Sequence, residues 1–304
     1  MSDLNDKVAI SIERIRRFAN FADNFPPNSR RGYYLAFSGG KDSVAVKRLM
    51  DMAGVRYETH YRITSVDPPE LVRFIRENYP DVIMDRPTDK HGPVTMWNLI
   101  PRKLMPPTRL ARYCCKYLKE PGGNDRFVVT GVRWAEGVDR KRDHGIVTTR
   151  SDIPESENFK KSEKGAIILV NDNDDARREI EACTTLHKML LNPIVDWSDL
   201  DVWDFIHSEN IPYCSLYDEG FHRIGCIGCP MARQHGRERQ FARWPKYQKA
   251  YLDAFQKMLD VRERRGLMKG SWAERTTPSD VFRWWMEYDV LPGQIDLFEE
   301  GDES

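Results

Sequence analysis

No stretch of the sequence approaches the ~20 consecutive apolar residues that a membrane-spanning helix needs. The first residues, Met1 to Lys7, lack the apolar core of a secretory signal. These two absences lead to the expectation of a cytoplasmic protein with no membrane partner. Net charge is also absent: 47 Lys and Arg face 47 Asp and Glu. No global field therefore draws the whole chain toward nucleic acid or a lipid surface. No internal repeat is present, which excludes a repeat architecture. Cysteine is scarce, six in 304 residues, so a disulfide scaffold is excluded. In a cytosolic chain such thiols read as metal ligands or reactive groups.

The length allows one large domain, or one domain with a smaller companion. Residues 7–24 read as an amphipathic helix with Val8, Ile12, Ile15, Phe18 and Ala19 on one stripe. Tyr33 to Phe37 reads as a buried parallel strand, 43–53 as a helix closed by Gly54, and 57–63 as a strand. A helix over 68–79 and strands over 81–84, 127–132 and 166–170 follow, then a helix over 200–209. Strand–helix alternation of this kind predicts an α/β fold with a doubly wound, mostly parallel sheet. The stretch 85–112 is rich in Pro, Arg and Met and is expected to loop over the sheet edge; 150–164 is expected to be a mobile loop. Residues 237–287 read as a helical C-terminal region, and Glu299 to Ser304 as a frayed acidic end. The division that follows is an N-terminal helix over 1–30, a nucleotide domain with the cysteine site over 31–235, and a helical extension over 236–304.

Ser38-Gly39-Gly40-Lys41-Asp42-Ser43 sits between the first strand and its helix. The glycines let the backbone approach phosphate oxygens. Successive N–H groups and the helix N-terminus point at the anion. Ser38 and Ser43 add hydroxyls, and Lys41 adds a cation. The spacing differs from the G-x-x-x-x-G-K-[ST] loop of kinases.

The cysteines form a second signal: Cys114 and Cys115 adjacent, Cys226 and Cys229 as C-x-x-C. Four thiolates suffice for one metal centre, and a tetrahedral zinc is one solution. Adjacent cysteines chelate a single small ion awkwardly and reach two irons of a cluster more readily, and Pro230 directly follows the last of them, as in ferredoxin-type runs. Cys183 and Cys214 lie outside this set. Each reads as a small buried residue, with a persulfide carrier as the alternative. His222 and His235 flank the C-x-x-C and read as surface groups.

Three further clusters are rich in cations. Arg133, Arg140, Lys141 and Arg142 follow the 127–132 strand; they suit a phosphate or sulfate group, or form a solvated basic loop. Arg233, Arg237, Arg239 and Arg243 interleave with Phe241, Trp244 and Tyr247. That pattern suits nucleic acid, but an amphipathic helix with its aromatic face in the core is the favoured reading. Val261 to Arg265 is mixed in sign and reads as a solvated face.

The six-residue loop resembles the PP-loop of ATP pyrophosphatases, which cleave ATP between its α- and β-phosphates. Over roughly residues 30–235 the chain resembles the adenylyl-sulfate and phosphoadenylyl-sulfate reductase family. The likeness rests on the loop, the Cys114-Cys115 pair, and Gly131-Val132-Arg133 with Glu136 and Arg140. It also rests on Asn192 to Trp197, Asp201 to Ile206, and Ile211 through Leu216-Tyr217-Asp218-Glu219-Gly220 to Cys229. The resemblance implies an adenine nucleotide α-hydrolase-like fold and a [4Fe–4S] cluster on Cys114, Cys115, Cys226 and Cys229, which ranks iron–sulfur above zinc. It also implies nucleotide binding by Ser38, Gly39, Gly40, Lys41, Asp42, Ser43 and Gly131, and chemistry at Lys41, Asp42, Ser43 and Arg133. Assimilatory reductases of the family carry a nucleophilic cysteine in a C-terminal E-C-G-[IL]-H segment; here no cysteine follows Cys229. In that respect the chain resembles the DndC and SspD type of ATP pyrophosphatase. Such proteins work with a cysteine desulfurase to place sulfur in the DNA backbone. The expectation is an ATP pyrophosphatase that adenylates an acceptor for sulfur transfer, with ATP and Mg²⁺ as cofactors. Its partners would be a desulfurase and DNA or a DNA-modification complex, with homo-oligomerisation left open. The alternatives are a reductase of adenylyl sulfate and a nucleotide-binding scaffold without turnover.

Overall fold

A computed structural model describes residues 4–25, 31–149, 159–161, 167–169 and 189–287. Most of the expected 150–164 loop, Cys183 and the acidic end at 299–304 lie outside the described residues. The contacts group the chain into two compact units that are not consecutive stretches. The first holds residues 1–62, 69–85 and 121–225; the second holds 63–68, 86–120 and 226–304. The division read from the sequence, at 30/31 and 235/236, follows the chain in order and differs from this grouping.

The first unit is built on a sheet. Its strands are β1 (Tyr33–Ala36), β2 (Tyr57–Arg62), β3 (Ile83–Asp85), β6 (Phe127–Val129), β7 (Val147–Thr149), β8 (Phe159–Lys161), β9 (Ile167–Leu169) and β10 (Met189–Leu191). The spatial order is β3-β2-β1-β6-β10-β7-β9-β8. The five strands from β3 to β10 pair in parallel, and β7, β9 and β8 continue antiparallel. This is the mostly parallel α/β class expected. β7, β8 and β10 were not foreseen, and β8 corrects part of the loop expected over 150–164; at three residues each they are too short for an alternating pattern to register.

The N-terminal stretch read as one helix is two, α1 (Leu4–Arg17) and α2 (Ala19–Asp23). Both are tied to the sheet. The Tyr33 hydroxyl donates to the Ile15 carbonyl at 2.7 Å, and Phe127 meets Phe18, Phe21, Phe25 and Tyr33 at centroid distances of 5.3–6.2 Å. Arg14 reaches Asp196 at 2.9 Å and the Pro193 carbonyl at 3.0 Å. Helix α3 (Lys41–Ala53) follows β1 and ends on Gly54 at φ +66°, as its sequence predicts. Helix α4 (Pro69–Asn78) precedes β3.

Strand order decides where a ligand can enter. From β1 the chain moves outward through β2 to β3, then returns to β6 on the other side of β1. The loops leaving β1 and β6 therefore diverge at a topological switch point, the crevice that open α/β sheets use for binding.

The second unit contains a hairpin of β4 (Thr88–Asp89) and β5 (Gly92–Pro93), then α5 (Met96–Lys103) and α6 (Tyr113–Leu118). The expectation of continuous loop over 85–112 is thus corrected. Five prolines between 87 and 107 hid a helix whose start is fixed by a capping box: the Thr95 hydroxyl accepts from the Asn98 amide, and the Asn98 side chain accepts from the Thr95 amide. Pro101 lies inside the helix at the cost of one backbone bond.

Helices α9 (Gln234–Arg243), α10 (Pro245–Arg264) and α11 (Pro278–Glu287) complete this unit. Tyr251 and Trp285 are buried and meet at 4.8 Å, with Trp97 and Phe241 5.2 and 5.8 Å from Tyr251. The interleaved run over 233–247 therefore takes its favoured reading, because Phe241 and Trp244 are core residues. Arg237 is 1% exposed and donates to the carbonyls of Trp285 (2.8 Å) and Met286 (2.7 Å). It satisfies last-turn acceptors of α11 that have no intrahelical donor. Arg237→Met leaves both carbonyls buried without that donor, and the expected loss is about 2–4 kcal/mol, read as a lower urea midpoint.

Candidate active site

The loop after β1 meets the geometric demands of its sequence. Gly39 takes φ +71°, and a Cβ there would stand 2.7 Å from Leu71 Cδ1 and 2.8 Å from Ile75 Cδ1. Only glycine fits. Gly40 immediately precedes α3, and the amides of Ser43 and Val44 both bond its carbonyl. The Ser43 hydroxyl donates to the same carbonyl at 2.9 Å and lies 3.2 Å from the Ser38 hydroxyl. Two hydroxyls and the positive end of a 13-residue helix thus converge on one turn. The Lys41 amide donates to the Tyr217 hydroxyl at 2.8 Å, a contact the sequence did not foretell.

The loop after β6 comes to the same place. A Cβ on Gly131 would lie 3.0 Å from Asp42 Cβ and 3.1 Å from the Asp42 carbonyl carbon. Its lack of a side chain lets the two segments touch. Arg133, 1% exposed, then donates from Nε to Asp42 Oδ1 at 2.6 Å and from Nη1 to the Trp197 carbonyl at 3.2 Å. Its third nitrogen pairs with Asp199. Lys41 Nζ stands 3.4 Å from Asp199 Oδ1 and 3.6 Å from Asp42 Oδ2.

Two cations and two carboxylates therefore alternate beneath the loop. Of the predicted residues, Ser38, Gly39, Gly40, Lys41, Asp42, Ser43, Gly131 and Arg133 are gathered here. Asp42 is oriented by Arg133. Asp199 was not among the predicted site residues; it stands immediately before the helix read over 200–209. It opens α8 (Asp199–Ser208), capped by Ser198, and that placement aims its carboxylate at Lys41 and Arg133. Burial works to raise its carboxyl, but the Arg133 hydrogen bond and the Lys41 charge outweigh this and hold it below the usual aspartate value.

Arg140, Lys141 and Arg142 do not join the cluster as a basic loop. They lie on α7 (Val138–Asp143), where Arg140 pairs with Glu136 at 3.3 Å and Arg142 with Asp143 at 3.2 Å. Cys214 is fully buried, and burial pushes its thiol up. His222 and His235 are exposed, as expected of surface groups.

The four paired cysteines all belong to the second unit. Cys114 and Cys115 lie on α6, and Cys114 is buried. The C-x-x-C turn is fixed at three points: the Ile227 amide on the Val66 carbonyl (2.8 Å), the Gly228 amide on Gln240 (2.8 Å), and the Tyr251 hydroxyl on the Ile227 carbonyl (2.9 Å). Gly228 takes φ +71°, and a Cβ there would stand 2.8 Å from Phe241 Cζ and 3.0 Å from Trp285 and Tyr251.

The thiols sense one another. Cys114 is raised by its hydrogen bond to Cys115, by burial, and by the charges of Cys115, Cys226 and Cys229. Cys115 is lowered to about 5, first by that bond, then, against burial, by Arg112 and Lys119. Arg112 donates to its sulfur at 3.6 Å. Cys226 donates to the Thr64 hydroxyl at 3.5 Å, and burial raises its thiol. Among the described residues no group of three or more His, Cys, Asp or Glu is arranged to hold a metal ion.

The glycine-rich loop and the Gly131–Arg133 segment both lie inside the region, residues 32–232, that matches the phosphoadenosine phosphosulfate reductase domain. The chain belongs to the phosphoadenosine phosphosulfate reductase family. Family relatives include the adenosine 5'-phosphosulfate reductase of Neisseria meningitidis, 32% identical over 44% of this chain and 43% of that protein. Another is the adenosine 5'-phosphosulfate reductase of Staphylococcus haemolyticus, 24% identical over 56% of this chain and 54% of that one. The chain thus spans only about half the length of these two reductases. Among solved structures, it is similar to a phosphoadenylyl-sulfate reductase from Candida auris in a phosphate complex. The TM-score is 0.41 at 13% identity, covering 74% of this chain and 96% of that one. It is also similar to the FMN adenylyltransferase of Candida glabrata in complex with FAD and inorganic pyrophosphate, with TM-score 0.40, 13% identity, and 74% and 63% covered. No described helix is long and apolar enough to cross a membrane.

Because Asp199 is held low, its pairing contributes stability at neutral pH and loses it as pH falls through the lowered value, below the ordinary aspartate figure of about 3.9. Arg133→Met is expected to raise the Asp199 carboxyl toward that figure in an NMR titration and to shrink the acid-induced loss of stability. In metal-free protein, Cys115 is expected to alkylate at a rate that stays level from pH 8 to 6 and drops near pH 5, while Cys114 stays unreactive. Peptide mass spectrometry over a pH series checks both.

Proposed function

We propose that the protein is an adenine-nucleotide enzyme of the sulfonucleotide-reductase type, acting on a nucleotide whose anionic end rests on Ser38 to Ser43. The carrying observation is the convergence of that loop with Gly131–Arg133 at the switch point of the sheet. Lys41 and the α3 N-terminus supply positive potential for a phosphate or sulfate group, and the Ser38 and Ser43 hydroxyls supply donors. Arg133 does not face the ligand as a free cation. It holds Asp42 and Asp199 in place, and they in turn flank Lys41. Mg²⁺ would neutralise further phosphate charge on a triphosphate ligand.

Cys114, Cys115, Cys226 and Cys229 are the proposed holders of a [4Fe–4S] cluster, with zinc as the alternative. The chemistry of the donor set supports this reading: four thiols within electrostatic range, one of them already a thiolate, with Arg112 and Lys119 offsetting negative charge. When bound, such a group would supply a redox-active centre whose net negative charge Arg112 and Lys119 would offset.

A second reading is favoured by one observation. Outside the four-cysteine group the only described cysteine is Cys214, which is buried with a raised thiol. No other described thiol is exposed to attack an activated sulfate. In this reading an acceptor oxygen attacks the α-phosphorus of ATP and pyrophosphate leaves. The terminal sulfur of a cysteine desulfurase persulfide then attacks the acceptor phosphorus, AMP leaves with that oxygen, and a thiol reductant cleaves the remaining S–S bond; a DNA phosphate is the proposed acceptor.

One assay separates the readings. Sulfite released from adenylyl sulfate by a thiol reductant supports the first, pyrophosphate released from ATP the second, and tight nucleotide binding without either product a scaffold. Lys41→Ala and Ser43→Ala are each expected to lower product release at least about 100-fold; unchanged release would remove the loop from the chemistry. Anaerobic purification with iron and sulfide analysis tests the cluster. Cys226→Ser is expected to abolish bound iron, and stoichiometric zinc in the wild type would decide against it.

A further inference from the structure

The neutral total charge conceals an uneven distribution. Residues 226–287 carry thirteen Lys and Arg against seven Asp and Glu, while residues 288–304 carry six acidic residues and no basic one. Within the positive stretch, four side chains form an alternating ladder. The Arg262 guanidinium lies 3.8 Å from the Trp272 ring centroid. Arg275 lies 5.7 Å from Trp272 on one side and 4.6 Å from Trp284 on the other. The two indoles are 5.7 Å apart and inclined at 62°, so they do not stack face to face.

Unlike Tyr251 and Trp285, which are buried in the core of this unit, all four ladder residues keep part of their surface in solvent. The ladder is rigid at its base: Arg262 donates to the carbonyls of Leu104 at 2.7 Å and Leu267 at 2.8 Å. Arg264, Arg265 and Lys269 are exposed in the adjoining chain. The segment expected to be a plain solvated face, Val261 to Arg265, is therefore one border of an aromatic and cationic surface. The interleaved run over 233–247 has its aromatic rings turned inward instead.

We propose that this surface binds single-stranded nucleic acid. Bases would stack on the indole and guanidinium faces, and Arg264, Arg265 and Lys269 would meet the phosphates. Each base has a π-face, so alternating indole and guanidinium groups suit an unpaired strand of any sequence. An acidic peptide would gain from the cations but little from the rings. The proposal is independent of the reaction at the phosphate loop.

The test is fluorescence anisotropy with a labelled oligothymidylate of about 15 nucleotides, at several salt concentrations. Wild type is expected to bind, with log affinity falling linearly against log salt. Trp272→Ala and Trp284→Ala are each expected to weaken binding about 5- to 100-fold, and the corresponding Phe variants to retain most of it. Replacing Arg264, Arg265 and Lys269 together by Ala is expected to lower the salt slope by about 2. Circular dichroism and retained nucleotide turnover show that the variants are folded. Absence of binding by wild type overturns the proposal, as does unaltered binding by both Trp→Ala variants in folded protein. Displacement by polyglutamate at equal charge, with no difference between Trp and Ala, would likewise overturn it and point to an acidic peptide.

Discussion

A single buried guanidinium organises the proposed nucleotide site. Arg133 sits under the loop with its nitrogens divided among Asp42, Asp199 and the Trp197 carbonyl. A buried cation of this kind is stable only when its partners are in place. Their positions in turn fix three chain segments: the start of α3, the turn after β10, and the start of α8. The phosphate loop is thus one side of a charge lattice that the whole switch point supports. Lys41 is the member of that lattice whose carboxylate partners leave it at 3.4 and 3.6 Å, longer than Arg133's 2.6 Å contact with Asp42. The lattice holds its arginine tightly and its lysine loosely, an ordering suited to a site where one cation must be shared with a ligand.

Much of this was legible in the sequence because local chemistry dictated it. Gly39 is irreplaceable for reasons of space that a glycine after a parallel strand already suggests, and Gly131 lies in tight contact with Asp42. The strands β1 and β6 are apolar runs bounded by turn residues, and α3 ends where Gly54 permits it to end. The cysteine pairs announced themselves by spacing, and the structure brings all four into one unit.

Other features depend on distant partners and left no local trace. Asp199 reads as a helix-cap neighbour until the fold places Arg133 and Lys41 opposite it. Tyr217 lies in a stretch quoted for its family likeness, yet its bond to the Lys41 amide spans 176 positions. Helix α5 was hidden because its prolines spoke more loudly than its capping box. Arg237 resembled its neighbours Arg233 and Arg239 in sequence, although its guanidinium caps a helix that begins some forty residues later. Period and composition cannot separate a buried arginine from an exposed one when both occupy a charged run.

The interleaving of the two units has a consequence in time. All the segments of the first unit have been synthesised once residue 225 is made, whereas the second cannot close until the chain beyond Cys226 is available. Between Cys115 and Cys226 the ribosome spends on the order of ten seconds at ordinary elongation rates. During that interval the first thiol pair has neither the C-x-x-C turn nor the aromatic residues that Gly228 packs against. Any centre shared by all four cysteines is therefore a late acquisition, assembled after the nucleotide-binding sheet has had its opportunity to fold.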